Sequence, residues 1–155
     1  MTTQTADSKN AIAIRPMQMH DAPAVCELIA QLGYERSVDD VREWIQSIES
    51  TIEMQAAFVA CLNENLLGWI EVSAESRLQS APFALIGGLV VREGSRSLGI
   101  GRLLCAAAEQ WARERGLKKV RVTSRTTRDD AHRFYLRNGF EVTKTSKVFE
   151  KLLRE

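Results

Sequence analysis

The segment Arg96-Ser97-Leu98-Gly99-Ile100-Gly101-Arg102 brings two arginines and a G-x-G pair to the junction of two apolar patterns. Before it runs Leu89-Val90-Val91, and after it an amphipathic stretch opens on Ile100 and continues through Leu103-Leu104. The first turn of a helix has backbone N–H groups without intrahelical acceptors, and the helix dipole adds partial positive charge there. Glycines let an anion approach that backbone closely, so the segment suits a phosphate or pyrophosphate. Arg96 adds a planar cation with bidentate hydrogen-bonding geometry.

Two phosphate loops are excluded by what is missing. A P-loop needs a Lys-Ser or Lys-Thr pair after its second glycine, and none follows here. A dinucleotide fingerprint needs a third glycine, a strand leading straight into the first, and an acidic residue about 20 positions on. Leu104 stands at the third glycine position, several loop residues precede Gly99, and the next apolar run closes on Val122-Thr123-Ser124-Arg125. What remains is R-x-x-G-x-G between a strand and a helix. Starting 35 residues after Arg96 comes Ala131-His132-Arg133-Phe134-Tyr135-Leu136-Arg137-Asn138-Gly139-Phe140. Together they resemble the pyrophosphate loop and the A-x-x-F-Y-x-x-x-G-F signature of the GCN5-related N-acetyltransferase (GNAT) superfamily. The similarity extends from Ile12-Ala13-Ile14-Arg15-Pro16 to Val148-Phe149-Glu150-Lys151-Leu152.

The resemblance implies transfer of an acetyl group from acetyl-CoA (coenzyme A) to an amine. It assigns the backbone of Leu89, Val90 and Val91 to the pantetheine arm. The amides of Arg96, Ser97, Leu98, Gly99, Ile100 and Gly101, with Arg102, fall to the pyrophosphate; bare strand–helix packing is the other reading of the glycines. Arg128 or Arg125 could meet a further CoA phosphate, Arg125 standing where many relatives have asparagine; a solvated surface is their other reading. Tyr135 takes the role of general acid. The departing thiolate has a conjugate pKa of ~8.5 and a phenol one of ~10, so the phenol can supply the proton. A plain packing role beside Phe134 is the other reading of Tyr135.

The attacking ammonium must also lose a proton. Many relatives carry a glutamate on the strand before the pyrophosphate loop, but here that strand reads Phe83-Ala84-Leu85-Ile86-Gly87-Gly88. Glu71, on the preceding strand, is the candidate base, acting directly or through water; a solvent-facing strand residue is its other reading. His132 reads as a structural helix residue. Tyr34 and Glu35 fall where relatives form the acceptor site and could frame a cationic amine by aromatic contact and charge, or simply connect two helices. No histidine has a partner at metal-ligand spacing, so no metal is expected. The alternative function is a non-catalytic acyl-CoA sensor: the missing strand glutamate favours it and the retained Tyr135 opposes it. The basic cluster Arg113, Arg115, Lys118, Lys119 and Arg121 lacks interleaved aromatics, so no nucleic acid is expected.

The composition is that of an ordinary globular protein, with 45% hydrophobic and 26% charged residues. At 155 residues the chain is long enough for one domain with a sizeable core, expected over residues 11–155 behind a frayed polar tail at 1–10. No apolar run approaches the ~20 residues of a membrane span, and the N-terminus lacks a secretory pattern. The odd set Cys26, Cys61 and Cys105 lies in apolar segments without C-x-x-C spacing, which reads as buried, reduced thiols in a cytoplasmic protein. A net charge of +1 conceals an asymmetry. Residues 1–91 hold 5 basic and 12 acidic side chains, and residues 92–155 hold 16 and 8. The basic half suits a polyanionic cofactor and leaves the acidic half to attract a cationic small-molecule substrate; solvated faces are the plain reading. Family members are often dimers, which carries over as the expectation of a homodimer.

The elements that must position these residues follow from periodicity. Strands are predicted at Ala11–Arg15, Ala57–Leu62, Leu66–Ser73, Phe83–Val91 and Val120–Ser124, with two more near Phe140–Val142 and Lys147–Leu152. Helices are predicted from Asp21 to about Leu32, from Ser37, from Gly99 to Arg115, and from Asp129 to Asn138. The third has Ile100, Leu103, Leu104, Ala107 and Trp111 on its apolar stripe. A mobile loop is expected over Ala74–Ala81, and Gly87-Gly88 inside an apolar strand suggests a bulge or the close approach of a ligand. The fold class is α/β (α+β): a mixed, mostly antiparallel sheet of about six to seven strands with about four helices. The family resemblance adds that the central parallel strands splay into a cofactor cleft.

Overall fold

A computed structural model describes residues 11–154, so the tail expected over residues 1–10 lies outside it. The chain forms two compact units, one ending at Val122 and one beginning at Thr123. The first holds β1 (Ala13–Pro16), α1 (Ala22–Gln31), α2 (Val38–Glu49), β2 (Gln55–Leu62), β3 (Asn65–Arg77), β4 (Ser80–Val91), α3 (Ile100–Glu114) and β5 (Val120–Val122). The second holds α4 (Asp129–Arg137) and then runs to Arg154 without helix or strand. Among the described residues no helix is long and apolar enough to cross a membrane.

The sheet has the order β1-β2-β3-β4-β5. Its pairs are antiparallel except β4–β5, which is parallel. The mixed sheet and, among the described residues, four helices agree with the sequence reading, but the described strands number five rather than six to seven. The two last predicted strands make no ladder, and Val148, Phe149, Leu152 and Leu153 are exposed. These apolar residues come in adjacent pairs instead of alternating, so neither face of such a strand would be uniformly apolar.

The segment expected to be a mobile loop at Ala74–Ala81 is instead mostly a hairpin. Ser73, Ala74 and Glu75 pair with Leu85, Ala84 and Phe83, and Arg77 pairs with Ser80, leaving Leu78-Gln79 as the turn. No Asn-Gly or Asp-Gly pair announces that turn. The Arg77 guanidinium lies 4.9 Å from the Phe83 ring centroid, and that of Arg121 lies 4.2 Å from it.

Helix positions follow from caps and buried stripes. At α2, Asp40 N–H donates to Ser37 Oγ and Ser37 N–H donates to the Asp40 carboxylate, both at 3.0 Å, closing a capping box. Asp21 precedes α1 but does not cap it with its side chain. Its carboxylate instead accepts from Gln18 N–H at 2.7 Å and from both arms of Arg15 at 2.7 and 2.8 Å, tying β1 to α1. Burial works against that charge, yet the Arg15 fork and the Gln18 amide hold the carboxyl below the usual range.

Val25, Leu28, Val41, Ile45 and Ile48 of α1 and α2 form one core with Ala57, Val59, Trp69 and Val90 of the sheet. On the opposite sheet face, a Cβ at Gly68 would stand 2.8 Å from Val90 O and 3.2 Å from Ile100 and Leu104, so the start of α3 sits hard against β3. The buried stripe of α3 is Ile100, Leu104, Cys105, Ala108, Trp111 and Ala112. Leu103 and Ala107, predicted within that stripe, are half-buried at its margin.

Candidate active site

The site begins where β4 loses a neighbour. Its parallel register with β5 runs Ala84↔Val120, Leu85↔Arg121, Ile86↔Val122 and ends there. Beyond Ile86, β4 continues to Val91 with β3 as its only ladder partner among the described residues. Leu89, Val90 and Val91, assigned by the family resemblance to the pantetheine arm, all lie in this half. The Val91 carbonyl, however, already accepts from the Gln31 amide at 2.8 Å, and Glu93 N–H donates to Gln31 Oε1 at 3.0 Å. Gln31, the last residue of α1, thus pins the exit of β4. Nothing in the sequence pattern marked it.

Glu71 lies beside the start of this half. The register passes from Glu71↔Gly88 to Val72↔Ile86, so Gly87 is the extra residue of a β-bulge, as the glycine pair suggested. The close approach expected there is made by the protein's own side chains. A Cβ on Gly87 would stand 2.7 Å from Glu71 Oε1, and one on Gly88 would stand 2.9 Å from Cη2 and Cζ3 of Trp69. Trp69 and Glu71 are two apart on β3 and so share a face, the one packed on α1 and α2. The Trp69 indole N–H is buried without a hydrogen-bond acceptor. Glu71 is half-buried, and among the described residues it makes no hydrogen bond or ion pair. Burial alone pushes its carboxyl above the ordinary range.

The candidate phosphate loop follows β4. Arg96–Leu98 form a short 3-10 turn, with Leu98 N–H donating to Ser95 O at 3.3 Å. Gly99 then sits in the left-handed region at φ 75° and caps α3; a side chain there would be strained. The first intrahelical bond is Leu103 N–H to Gly99 O, which leaves the amides of Gly99, Ile100, Gly101 and Arg102 as the orphan donors of the helix start. The Ile100 and Gly101 side positions are buried, whereas Arg96, Ser97, Leu98 and Arg102 are exposed. Orphan amides at a helix N-terminus, beside a strand half with one ladder partner among the described residues, fit a ligand that joins a pyrophosphate to an amide-bearing arm.

Tyr34 and Glu35 occupy an exposed connection between α1 and α2. Tyr34 N–H donates to Ile29 O at 3.3 Å, closing the end of α1. Of the cysteines, Cys61 and Cys105 are buried as expected, but Cys26 is half-buried, with its thiol 2.9 Å from Arg36 O. Burial, with the Glu109 charge adding, pushes the Cys105 thiol up to about 12, leaving it inert.

In the second unit, Tyr135 lies on α4, half-buried and edge-on to Phe134 at 5.4 Å and to Phe140 at 5.5 Å between ring centroids. Phe140 N–H returns to Tyr135 O at 3.0 Å, so the end of the helix fixes the ring cluster. His132 Nε2 lies 2.7 Å from Arg125 O, a structural tie in keeping with its sequence reading. Arg128, at the start of α4, is exposed.

Known proteins share both sequence and fold. An uncharacterised N-acetyltransferase, YhdJ, from Bacillus subtilis (strain 168) is 31% identical over 72% of this chain and 80% of its own length. The aminoglycoside N(6')-acetyltransferase type 1 of Stenotrophomonas maltophilia is 29% identical over 90% of this chain and 93% of its own. The structure of AAC(6')-Iy with the bisubstrate analogue CoA-S-monomethyl-acetylneamine superposes with a TM-score of 0.81 at 20% identity, covering 92% of this chain and 99% of that one. The sequence profile of the acetyltransferase (GNAT) family matches residues 20–140. The chain therefore belongs to the GNAT family and is an acyl-CoA-dependent N-acetyltransferase.

Proposed function

We propose that this enzyme transfers acetyl from acetyl-CoA to the primary amine of a small cationic acceptor, of the aminoglycoside, polyamine or amino-acid-like class. The observation that carries the reading is the Glu71 carboxylate. It is desolvated, has no cation partner among the described residues, and lies against Gly87, the first residue of β4 past its last pairing with β5. Such a group takes a protonated amine as its natural counter-ion and then its proton. The acidic balance of residues 1–91 and the aminoglycoside acetyltransferase among the relatives favour the same class. Tyr34 and Glu35 are the candidate outer contacts of the acceptor.

Acetyl-CoA supplies an activated thioester carbonyl and a thiol leaving group. The orphan amides of Gly99 to Arg102, with Arg96 and Arg102, hold its pyrophosphate, and Arg128 is a further cation for its phosphates. Leu89 offers its backbone groups to the pantetheine amides at the edge of β4 away from β3; those of Val90 point to β3. Glu71 accepts the proton of the acceptor ammonium, so the nitrogen lone pair is freed to form the C–N bond, and the nitrogen's second proton leaves to solvent as the amide forms. Tyr135 donates its phenolic proton to the sulfur as the C–S bond breaks, and regains one from solvent.

A thiol-release assay with acetyl-CoA against aminoglycosides, polyamines, amino acids and peptide N-termini tests the reading. Turnover with one cationic class is expected. CoA binding by calorimetry with silence across the panel would overturn it in favour of a sensor. Tyr135→Phe should lower kcat by about 10²-fold with CoA affinity unchanged. An unaltered kcat would remove Tyr135 from the mechanism.

A further inference from the structure

The side-chain position of residue 87 and the Glu71 carboxylate claim one volume. An ideal Cβ on Gly87 would stand 2.7 Å from Glu71 Oε1, 3.2 Å from Cδ and 3.4 Å from Cγ, too close for the carboxylate to stay where it is. Gly87 is not among the glycines with positive φ, so its backbone accepts an alanine without strain. The atom in the way is the far end of a flexible side chain, which can swing aside at small cost in stability. Gly88 differs in degree: a Cβ there meets two ring carbons of buried Trp69 at 2.9 Å, which cannot move so easily, and Glu71 Oε1 only at 3.3 Å. Gly88 is therefore held chiefly by the core, and Gly87 by the carboxylate.

We infer that Gly87 is a positioning residue: its missing side chain is the seat of the Glu71 carboxylate, and a carboxylate grown from position 87 can take over at that seat. The inference rests on the reading of Glu71 as the base, and it adds that the reaction needs a carboxylate at this spot rather than one from this strand. Gly87 is the bulged residue and the first of β4 beyond Ile86↔Val122, so a side chain there starts at the parting of the strands. The sheet neighbours of Glu71 supply no competing charge. Ala57 opposes it on β2 and Gly88 on β4, while Trp69 and Ser73 flank it on its own strand. The next ionisable residue on β3, Glu75, is paired with Arg77 at 3.7 Å.

The test uses the full chain as Gly87→Ala, Glu71→Ala, Glu71→Ala/Gly87→Ala and Glu71→Ala/Gly87→Glu. Each is measured for thiol release from acetyl-CoA with the best amine of the panel, for CoA affinity by calorimetry, and for Tm. Gly87→Ala should lower kcat about tenfold or more with CoA affinity within about twofold of wild type. Glu71→Ala/Gly87→Glu should regain at least about tenfold over Glu71→Ala, whereas Glu71→Ala/Gly87→Ala regains none. A wild-type kcat in Gly87→Ala, or a double variant with the new glutamate no faster than the one with alanine, overturns the inference. A readout independent of turnover is the carboxyl titration of Glu71 by carbon NMR. In Gly87→Ala its midpoint should fall back toward an ordinary carboxylate, and an unmoved midpoint also overturns the inference. Wild type silent on every amine would instead refute the proposed function, and an unimpaired Glu71→Ala would refute the base assignment.

Discussion

The two halves of β4 have the same strand geometry and opposite uses. From Ser80 to Ile86 the strand runs beside β3 and gains β5 at Ala84–Ile86, and Phe83, Ala84 and Ile86 are buried at 0%, 0% and 3% exposure. From Gly87 to Val91 it keeps β3 alone, and its first residue is exposed. The first half spends its side chains on packing, so it can carry no chemistry without losing the core. The second gives up a neighbour and two side chains, and what enters the space is Glu71 and Trp69 from the next strand. A sheet thus makes room for a carboxylate by removing groups as much as by adding them.

The comparison breaks most visibly in the packed half. Phe83→Ala should destabilise the fold by about 3–5 kcal/mol, read as a fall in Tm or in denaturant midpoint. A loss under about 1 kcal/mol would mean that this half is not the structural one. In the open half the signs reverse. Glu71→Gln should cost about 10²-fold in kcat while raising Tm at neutral pH. The folded-state pKa of Glu71 lies above its unfolded value, so the folded chain holds the proton longer and stability falls as pH rises through that window. Above the window the buried charge is a standing penalty that glutamine removes. At acid pH, where Glu71 is protonated in both states, the Tm difference should vanish. Equal Tm values at neutral pH would show that Glu71 is not desolvated.

Smaller effects fall on the flanks of the open half. Arg96→Ala should weaken CoA binding by about 1–2 kcal/mol, with the difference shrinking in high salt. Gln31→Leu should raise the KM for acetyl-CoA several-fold, about 1 kcal/mol, through lost support of Val91 and Glu93 and with kcat held. A change in kcat without one in KM would place Gln31 nearer the chemistry than its hydrogen bonds suggest.

How much of this could be read from the chain depended on range. The turn into α3 was legible because glycine spacing and a helix start are local and carry their own physics. The same holds for the start of α2 at Ser37. The last two strands were misread because a strand needs a partner as well as an apolar pattern, and residues 140–154 meet no ladder. The β3–β4 hairpin was missed because its turn, Leu78-Gln79, carries no turn residues. The helix start at Asp21 was legible, but that Arg15, six positions earlier, takes its carboxylate was not. At the candidate site the glycine pair announced a close approach, but that Glu71 and Trp69 make it depends on register across a bulge. Gln31 meets Val91 across 60 positions of sequence, beyond any local pattern.

The central claim is that the Glu71 carboxylate, set at the parting of β4 and β5, takes the proton of the attacking amine. Its most direct test is kcat/KM for thiol release from about pH 5 to pH 9 in wild type and Glu71→Gln. The account predicts an acid limb in wild type, with activity falling as pH drops through a midpoint above the ordinary carboxylate value. In Glu71→Gln that limb should be absent and the rate low throughout. The same limb in both proteins, at comparable rates, would contradict it.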